Sequence, residues 1–211
     1  MGFINKAVVI DWEATGLIQE IGDQHWDRGP QGIQIGAIFV DDLMGECRIG
    51  WEFQSHVRFM QSQFSQLNWD PSAEKIHGIT RSELTRANPP RIVAEHFNKF
   101  LQGSFVRGEP ILLCGQNPMY DRYYLNQLYR LAQMEPPRFH SRMIDTFSLG
   151  LAIWGHQTGD DLFEHVTKTK RTLHSAIGDA RSSFEVLKLS IQQTSTNKIG
   201  FRNEKISTGT K

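Results

Sequence analysis

The chain has 211 residues, 39% of them hydrophobic, and 23 acidic side chains balanced by 23 basic ones. This is enough for one domain with a substantial core, but no apolar run approaches the roughly 20 residues of a bilayer span, so a soluble protein is expected. Zero net charge excludes a global positive field, so any attraction for phosphates must come from local patches or bound metal.

Met1 to Lys6 leads straight into Ala7-Val8-Val9-Ile10, an apolar, mostly β-branched run that reads as a buried strand. No apolar stretch with a cleavage site precedes it, and Lys6 stands where a myristoylation signal has Ser or Thr. Neither a signal peptide nor a lipid anchor is expected. The strand stops on Asp11, with Glu13 two positions later. Residues two apart on a strand share a face, so both carboxylates enter one space, where repulsion costs stability unless a cation lies between them. Hard divalent ions favour such oxygen clusters. Thr15-Gly16 permits a tight turn and the close approach of a ligand. Residues 18–32, polar and rich in glycine and charge, with Asp23, His25 and Trp26, read as a loop at the rim of that site.

Residues 33–40 and 47–59 read as the second and third strands of an antiparallel meander. Asp70-Pro71 has the cap and first-turn proline of a short helix that Gly78 ends. Residues 81–88 are short and polar, and Pro89-Pro90 precedes a helix over about 91–101. Residues 110–115 form a fourth strand ending at Gln116-Asn117, followed by a helix over about 121–134. Residues 143–146 are a short fifth strand before a helical stretch, 147–154. Residues 157–171 read as irregular, and 175 to about 193 as the last long helix. The order implies an α/β sheet of mixed direction within residues 1–194, with 195–211 as a flexible tail. Cys47 and Cys114 have no CxxC spacing, which fits a reduced, cytoplasmic protein rather than a disulfide scaffold or zinc site.

Acidic residues recur at the junctions: Asp11 and Glu13 at a strand end, Asp121 at a helix start and Asp179 in the final helix. An aspartate in a first helical turn is by itself a favourable charge at the helix dipole. The set taken together carries more weight. His174 precedes Asp179 by five residues, so both side chains can reach one cleft, with an imidazole available for proton transfer near neutral pH.

This ordered set resembles the DEDDh group of DnaQ-like 3′–5′ exonucleases, within the ribonuclease H-like fold. Asp11-Trp12-Glu13-Ala14-Thr15-Gly16 is similar to its first motif, D-x-E-x-T-G, and Gly115-Gln116-Asn117-Pro118-Met119-Tyr120-Asp121 to its second, G-H-N-x-x-F-D. His174-Ser175-Ala176-Ile177-Gly178-Asp179-Ala180 fits the third, H-x4-D-A. Ile76-His77-Gly78-Ile79-Thr80 and Ile144-Asp145-Thr146 look like subsidiary signatures, and the similarity runs from about Ala7 to Leu189. The departures are Gln116 for the usual histidine and Tyr120 for the usual phenylalanine.

The resemblance implies a five-stranded sheet, three strands antiparallel and the rest parallel, flanked by helices. It implies that Asp11, Glu13, Asp121 and Asp179 hold two Mg2+ ions, with Mn2+ able to substitute, and that His174 is the general base. Ala14, Thr15, Gly16, Leu17 and Asn117 would hold the terminal nucleotide. The implied reaction is hydrolysis at the 3′ end of single-stranded DNA or RNA, releasing nucleoside 5′-monophosphates. Relatives of this kind are often homodimers, and no feature of this sequence decides that point. Lys168, Lys170 and Arg171 are expected to steer a phosphate backbone, His77 to pack or cap a helix, and Asp145 to support the site. Two rival readings are a haloacid-dehalogenase-type phosphatase and an inactive nucleic-acid-binding or polymerase-associated module. In the first, a D-x-D-x-T motif would have Glu13 in place of its second aspartate and no use for His174 and Asp179. The intact acidic set argues against the second.

Overall fold

The computed structural model describes residues 4–18, 27–60 and 66–203. Its strands are β1 (Ala7–Ala14), β2 (Arg28–Pro30), β3 (Gly32–Asp41), β4 (Arg48–His56), β5 (Gln66–Asn68), β6 (Ile111–Gly115) and β7 (Phe139–Asp145). Five of them form one sheet in the order β4-β3-β1-β6-β7. The pairs β4–β3 and β3–β1 are antiparallel, whereas β1–β6 and β6–β7 are parallel. This is the mixed sheet expected from the sequence. β2 and β5 form a separate two-stranded parallel pair. Most of the loop expected at 18–32, including Asp23, His25 and Trp26, lies outside the described residues.

Side-chain alternation divides the sheet into two buried faces. Val8, Ile10 and Trp12 of β1 pack with Phe97 of α3 (Pro90–Gln102) and Leu125 of α4 (Pro118–Leu131). Ala7 and Val9 face the opposite way, against Ala180, Phe184 and Leu187 of α7 (Ala176–Asn203). The central strand is thus apolar on both sides for its first four residues. It does not end at Asp11: pairing with β3 continues through Asp11 and Glu13, and the register shifts only between Glu13 and Ala14. Hydrogen bonds to the neighbouring strand outlast the apolar run, because the ladder uses backbone groups whatever the side chain.

The short helices carry their own stop signals. α1 (Pro71–His77) begins where the Asp70 side chain accepts the Ser72 N–H, and ends on Gly78 at φ 71°. α2 (Arg81–Leu84) gives the expected short polar piece one helical turn, with a capping box between Thr80 and Glu83. α4 begins three positions earlier than expected, with Pro118 at its first turn, and α5 (Thr146–Trp154) starts on the Asp145 cap.

Two expectations need correction. Residues 157–171 are not irregular throughout: α6 (Gly159–Thr167) is capped by Thr158, whose side chain accepts the Asp161 N–H. It is held by burying Leu162 and Phe163 with Val186 of α7, a contact that no local pattern in that polar stretch announces. The last helix also continues past about 193 to Asn203, into the expected tail. Adding a residue to an existing helix gains one hydrogen bond without a new nucleation cost, so weak helix formers follow the packed part. Residues 204–211 lie outside the described residues. No described helix is long and apolar enough to cross a membrane.

Candidate active site

The site forms where β1 leaves its apolar stretch. Asp11 and Glu13 continue the alternation of Ala7 and Val9, so both face the side covered by α7. Opposite them begins α7, whose Ser175 Oγ accepts the Gly178 N–H at 3.3 Å and so caps the helix. The His174 N–H donates to the carbonyl of Ile76 at 3.2 Å, tying the approach to α7 onto α1. Asp121 enters from a third direction, in the first turn of α4.

Ligand-type atoms of Glu13, His174 and Asp179 all lie within 4.8 Å of one another. His174 Nδ1 is 3.2 Å from Asp179 Oδ2. Asp11 and Asp121 stand beside this trio rather than within it, and couple to it through their charge. Burial first, and then the charges of Asp121, Asp179 and Glu13, hold the Asp11 carboxyl well above its usual range. Asp121 is also raised, mainly by burial, against the stabilising backbone N–H groups of Asp121 and Trp12. Burial and then Asp179 push Glu13 from near 4.5 to about 7. His174 is raised, chiefly by its hydrogen bond to Asp179. Crowded carboxylates that resist ionisation suit a site built for positive charge. Glu13 Oε1 is buried with no hydrogen-bond partner among the described residues, so an oxygen ligand is already desolvated and available to a hard cation.

A cleft of about 530 Å3 adjoins the trio, and Glu13 and His174 line it together with Leu17, Asp70, Ile76, Tyr120 and Tyr124. Leu17 is 89% exposed, which excludes core packing as its role. Ala14 and Gly16 also line the cleft. Thr15 is fully buried and acts as a local tie: its Oγ1 donates to the Asn68 carbonyl at 2.6 Å and accepts the Gln31 N–H at 2.8 Å. Asn117 is not among the cleft's lining residues. It precedes α4 at φ 53° and gives its N–H to Asp145 Oδ1 at 3.0 Å. Asp145 thereby supports the motif loop while capping α5. His77 is buried at the cleft wall, and its Nδ1 accepts the Ile79 N–H at 3.0 Å.

Arg171 is the residue the sequence reading misplaced. It does not join Lys168 and Lys170 on the exposed surface but turns inward. One guanidinium nitrogen lies 2.6 Å from Asp179 Oδ2, the other pairs with Asp160 of α6, and the plane rests on the Phe163 ring. The sequence Lys168-Thr169-Lys170-Arg171 gives no local hint of this, because the attraction comes from an acidic cluster assembled by distant segments. Tyr120 and Tyr124 were likewise not expected in the cleft, although they stand four residues apart on one face of α4 and Tyr124 follows Asp121 by three. Gln116, the departure from the motif's histidine, lies against Gly159, where a Cβ would come within 2.4 Å of its amide. The longer side chain is accommodated by a residue that has none.

A mixed sheet whose central strand brings Glu13 into a cleft beside His174 and Asp179, with Asp11 two residues before it, is the arrangement of a nuclease-type site in a ribonuclease H-like fold. The Exonuclease family model (RNase_T) matches residues 8–187, and the chain belongs to that family. The family match sets aside the haloacid-dehalogenase reading. No curated protein sequence matches significantly. Among solved structures, the chain is similar to the nuclease domain of 3′hExo, a DEDDh family member, bound to rAMP. The TM-score is 0.64 at 15% identity, over 90% of this chain and 92% of that one. Exonuclease X, in complex with 5′ overhanging duplex DNA, gives a TM-score of 0.58 at 18% identity, over 90% and 93%. E. coli Exonuclease I, in complex with a dT13 oligonucleotide, gives 0.62 at 16% identity, over 94% of this chain and 43% of that one. At such identities the likeness is one of fold.

Proposed function

We propose that the protein is a 3′–5′ exonuclease that hydrolyses the terminal phosphodiester of single-stranded DNA or RNA and releases nucleoside 5′-monophosphates. The observation that carries this reading is the meeting of Glu13, His174 and Asp179 within 4.8 Å, beside a cleft that Glu13 and His174 line together with apolar and aromatic side chains. The nucleic acids bound by the structural neighbours, rAMP, a histone mRNA stem-loop and DNA oligonucleotides, support a nucleic-acid substrate. Asp11, Glu13, Asp121 and Asp179 would hold two Mg2+ ions, or Mn2+ in their place. Bound there, the ions supply Lewis-acid activation of water and charge stabilisation at the phosphodiester. His174 takes the proton as the water oxygen bonds to phosphorus, and the bond to the 3′-oxygen of the preceding nucleotide breaks. Ala14, Gly16 and Leu17 seat the terminal nucleotide, with Thr15 and Asn117 shaping the backbone around it. A cytoplasmic location and a homodimer fit this reading.

His174 must be neutral to accept that proton. The rate therefore falls as pH is lowered through the imidazole titration. Activity that stays flat down to about pH 5 overturns the assignment. The direct test incubates the protein and its Asp179→Asn variant with 3′-labelled and 5′-labelled DNA and RNA, single- and double-stranded, in Mg2+ and in chelator. A 5′-labelled ladder that shortens from the 3′ end only in Mg2+, and not with the variant, is expected. Uncut substrate with the unaltered protein favours the inactive-module reading.

A further inference from the structure

We infer that Gln34, a residue outside the acidic motifs, is a positioning residue that sets where His174 and Asp179 stand. The inference rests on the exonuclease reading above, because its main readout is turnover. Helix α7 begins at Ala176, between those two residues, and the first N–H groups of a helix have no partner within it. The Ala176 N–H is buried and donates at 2.9 Å to Gln34 Oε1, on β3. Gln34 is itself only 5% exposed. Two residues along the same strand face, Gly36 lets α7 come still closer: a Cβ there would lie 2.3 Å from the Ala176 carbonyl carbon and the Ile177 nitrogen. The start of α7 is therefore seated directly on β3 by one hydrogen bond and one missing side chain.

The seat lies in register with the chemistry. Gln34 pairs with Glu13 on β1, and Gly36 with Asp11. Directly opposed residues share a sheet face, so Gln34 reaches α7 from the same side as the two carboxylates. On its other flank Gln34 pairs with His56 of β4, and Gln34 Nε2 lies 2.8 Å from His56 Nε2. Ala176 offers only a donor, so the oxygen of the Gln34 amide must face it and the NH2 must face His56. His56 Nε2 consequently accepts, which places the imidazole proton on Nδ1. A row of three polar residues, Glu13, Gln34 and His56, thus runs across three strands, and its middle member aims the helix that brings His174 and Asp179 to Glu13. A shift of about 1 Å at a reacting group can cost on the order of 100-fold in rate.

The test is Gln34→Leu, similar in size but unable to accept. Expected are an unchanged near-UV spectrum and a KM for oligonucleotide within about two-fold. The kcat should fall by about 10- to 100-fold, with faster hydrogen exchange at the Ala176 amide. A kcat within about two-fold of the unaltered protein, or exchange at Ala176 no faster than before, overturns the inference. Should Gln34→Leu not fold, His56→Phe at the exposed sheet edge carries the test. Loss of the ring nitrogen that orients the amide should lower kcat several-fold and speed exchange at Ala176, and no change in either overturns the inference. If the unaltered protein does not shorten the oligonucleotide, the exonuclease reading fails instead, and exchange at Ala176 still decides the role of Gln34.

Discussion

The acidic cluster and the cleft wall beside it are built on opposite terms. On the wall Leu17, Ile76 and Tyr120 are exposed, and each can be altered with little loss of folding energy because little of it is buried. In the cluster Glu13, Asp121 and Asp179 are buried, and their charges oppose one another. One region is a surface left open for contact, whereas the other stores repulsion that the rest of the fold must overcome. Function in the cluster is therefore expected to trade against stability, and function on the wall is not.

The largest effect should come from Glu13→Gln. Activity should fall by on the order of 1,000-fold, a loss typical of removing a charge that acts in the transition state, while the metal-free protein melts higher at pH 8. A lower melting temperature would break the comparison. Next in size is the pH dependence of stability in chelator. Between its ordinary value near 4.5 and its folded value of about 7, Glu13 keeps a proton in the folded protein that the unfolded chain has already released. The folded state then binds more protons, so stability falls as pH rises through that window, by on the order of 3 kcal/mol from this residue. Thermal melts at pH 5 and pH 8, with chelator and with Mg2+, should show the loss only in chelator, because an ion bound only to the folded state adds stability by mass action.

Arg171→Ala sharpens the same contrast. It removes a partly buried partner of Asp179 and Asp160 and should cost about 2 kcal/mol in denaturant titration, most clearly in chelator, where that carboxylate has no other full counter-charge. The smallest effect is expected on the cleft wall. Leu17→Ala should leave the melting temperature unchanged within error and raise KM about 5- to 10-fold through lost apolar contact with the terminal nucleotide. A lowered kcat with unchanged KM would assign Leu17 to the work of the acidic cluster instead.

Much of this was legible before any coordinates. β-branched runs marked β1 and β3, the Asp70 cap and Gly78 marked both ends of α1, and the motif residues announced the acidic set in order. The α6 helix was not legible: its polar face reads as loop, and only Leu162 and Phe163 packing under α7 make it a helix. Arg171 was grouped with Lys168 and Lys170 as a steering cation for the same reason. Its neighbours in sequence are exposed, and its partners come from α6 and α7.

The sequence by itself determined which side chains could do chemistry here and in what order they come, because alternation along a strand and capping at a helix end are rules of near neighbours. The tertiary structure alone decided which of them meet. Glu13, His174 and Asp179 form the close trio with Asp11 and Asp121 at its side, Arg171 turns in, and Gln34 seats the helix that brings the trio together. Those contacts join segments from β1, β3 and α7, and their distances follow from how closely the sheet and helix pack, which no local rule contains.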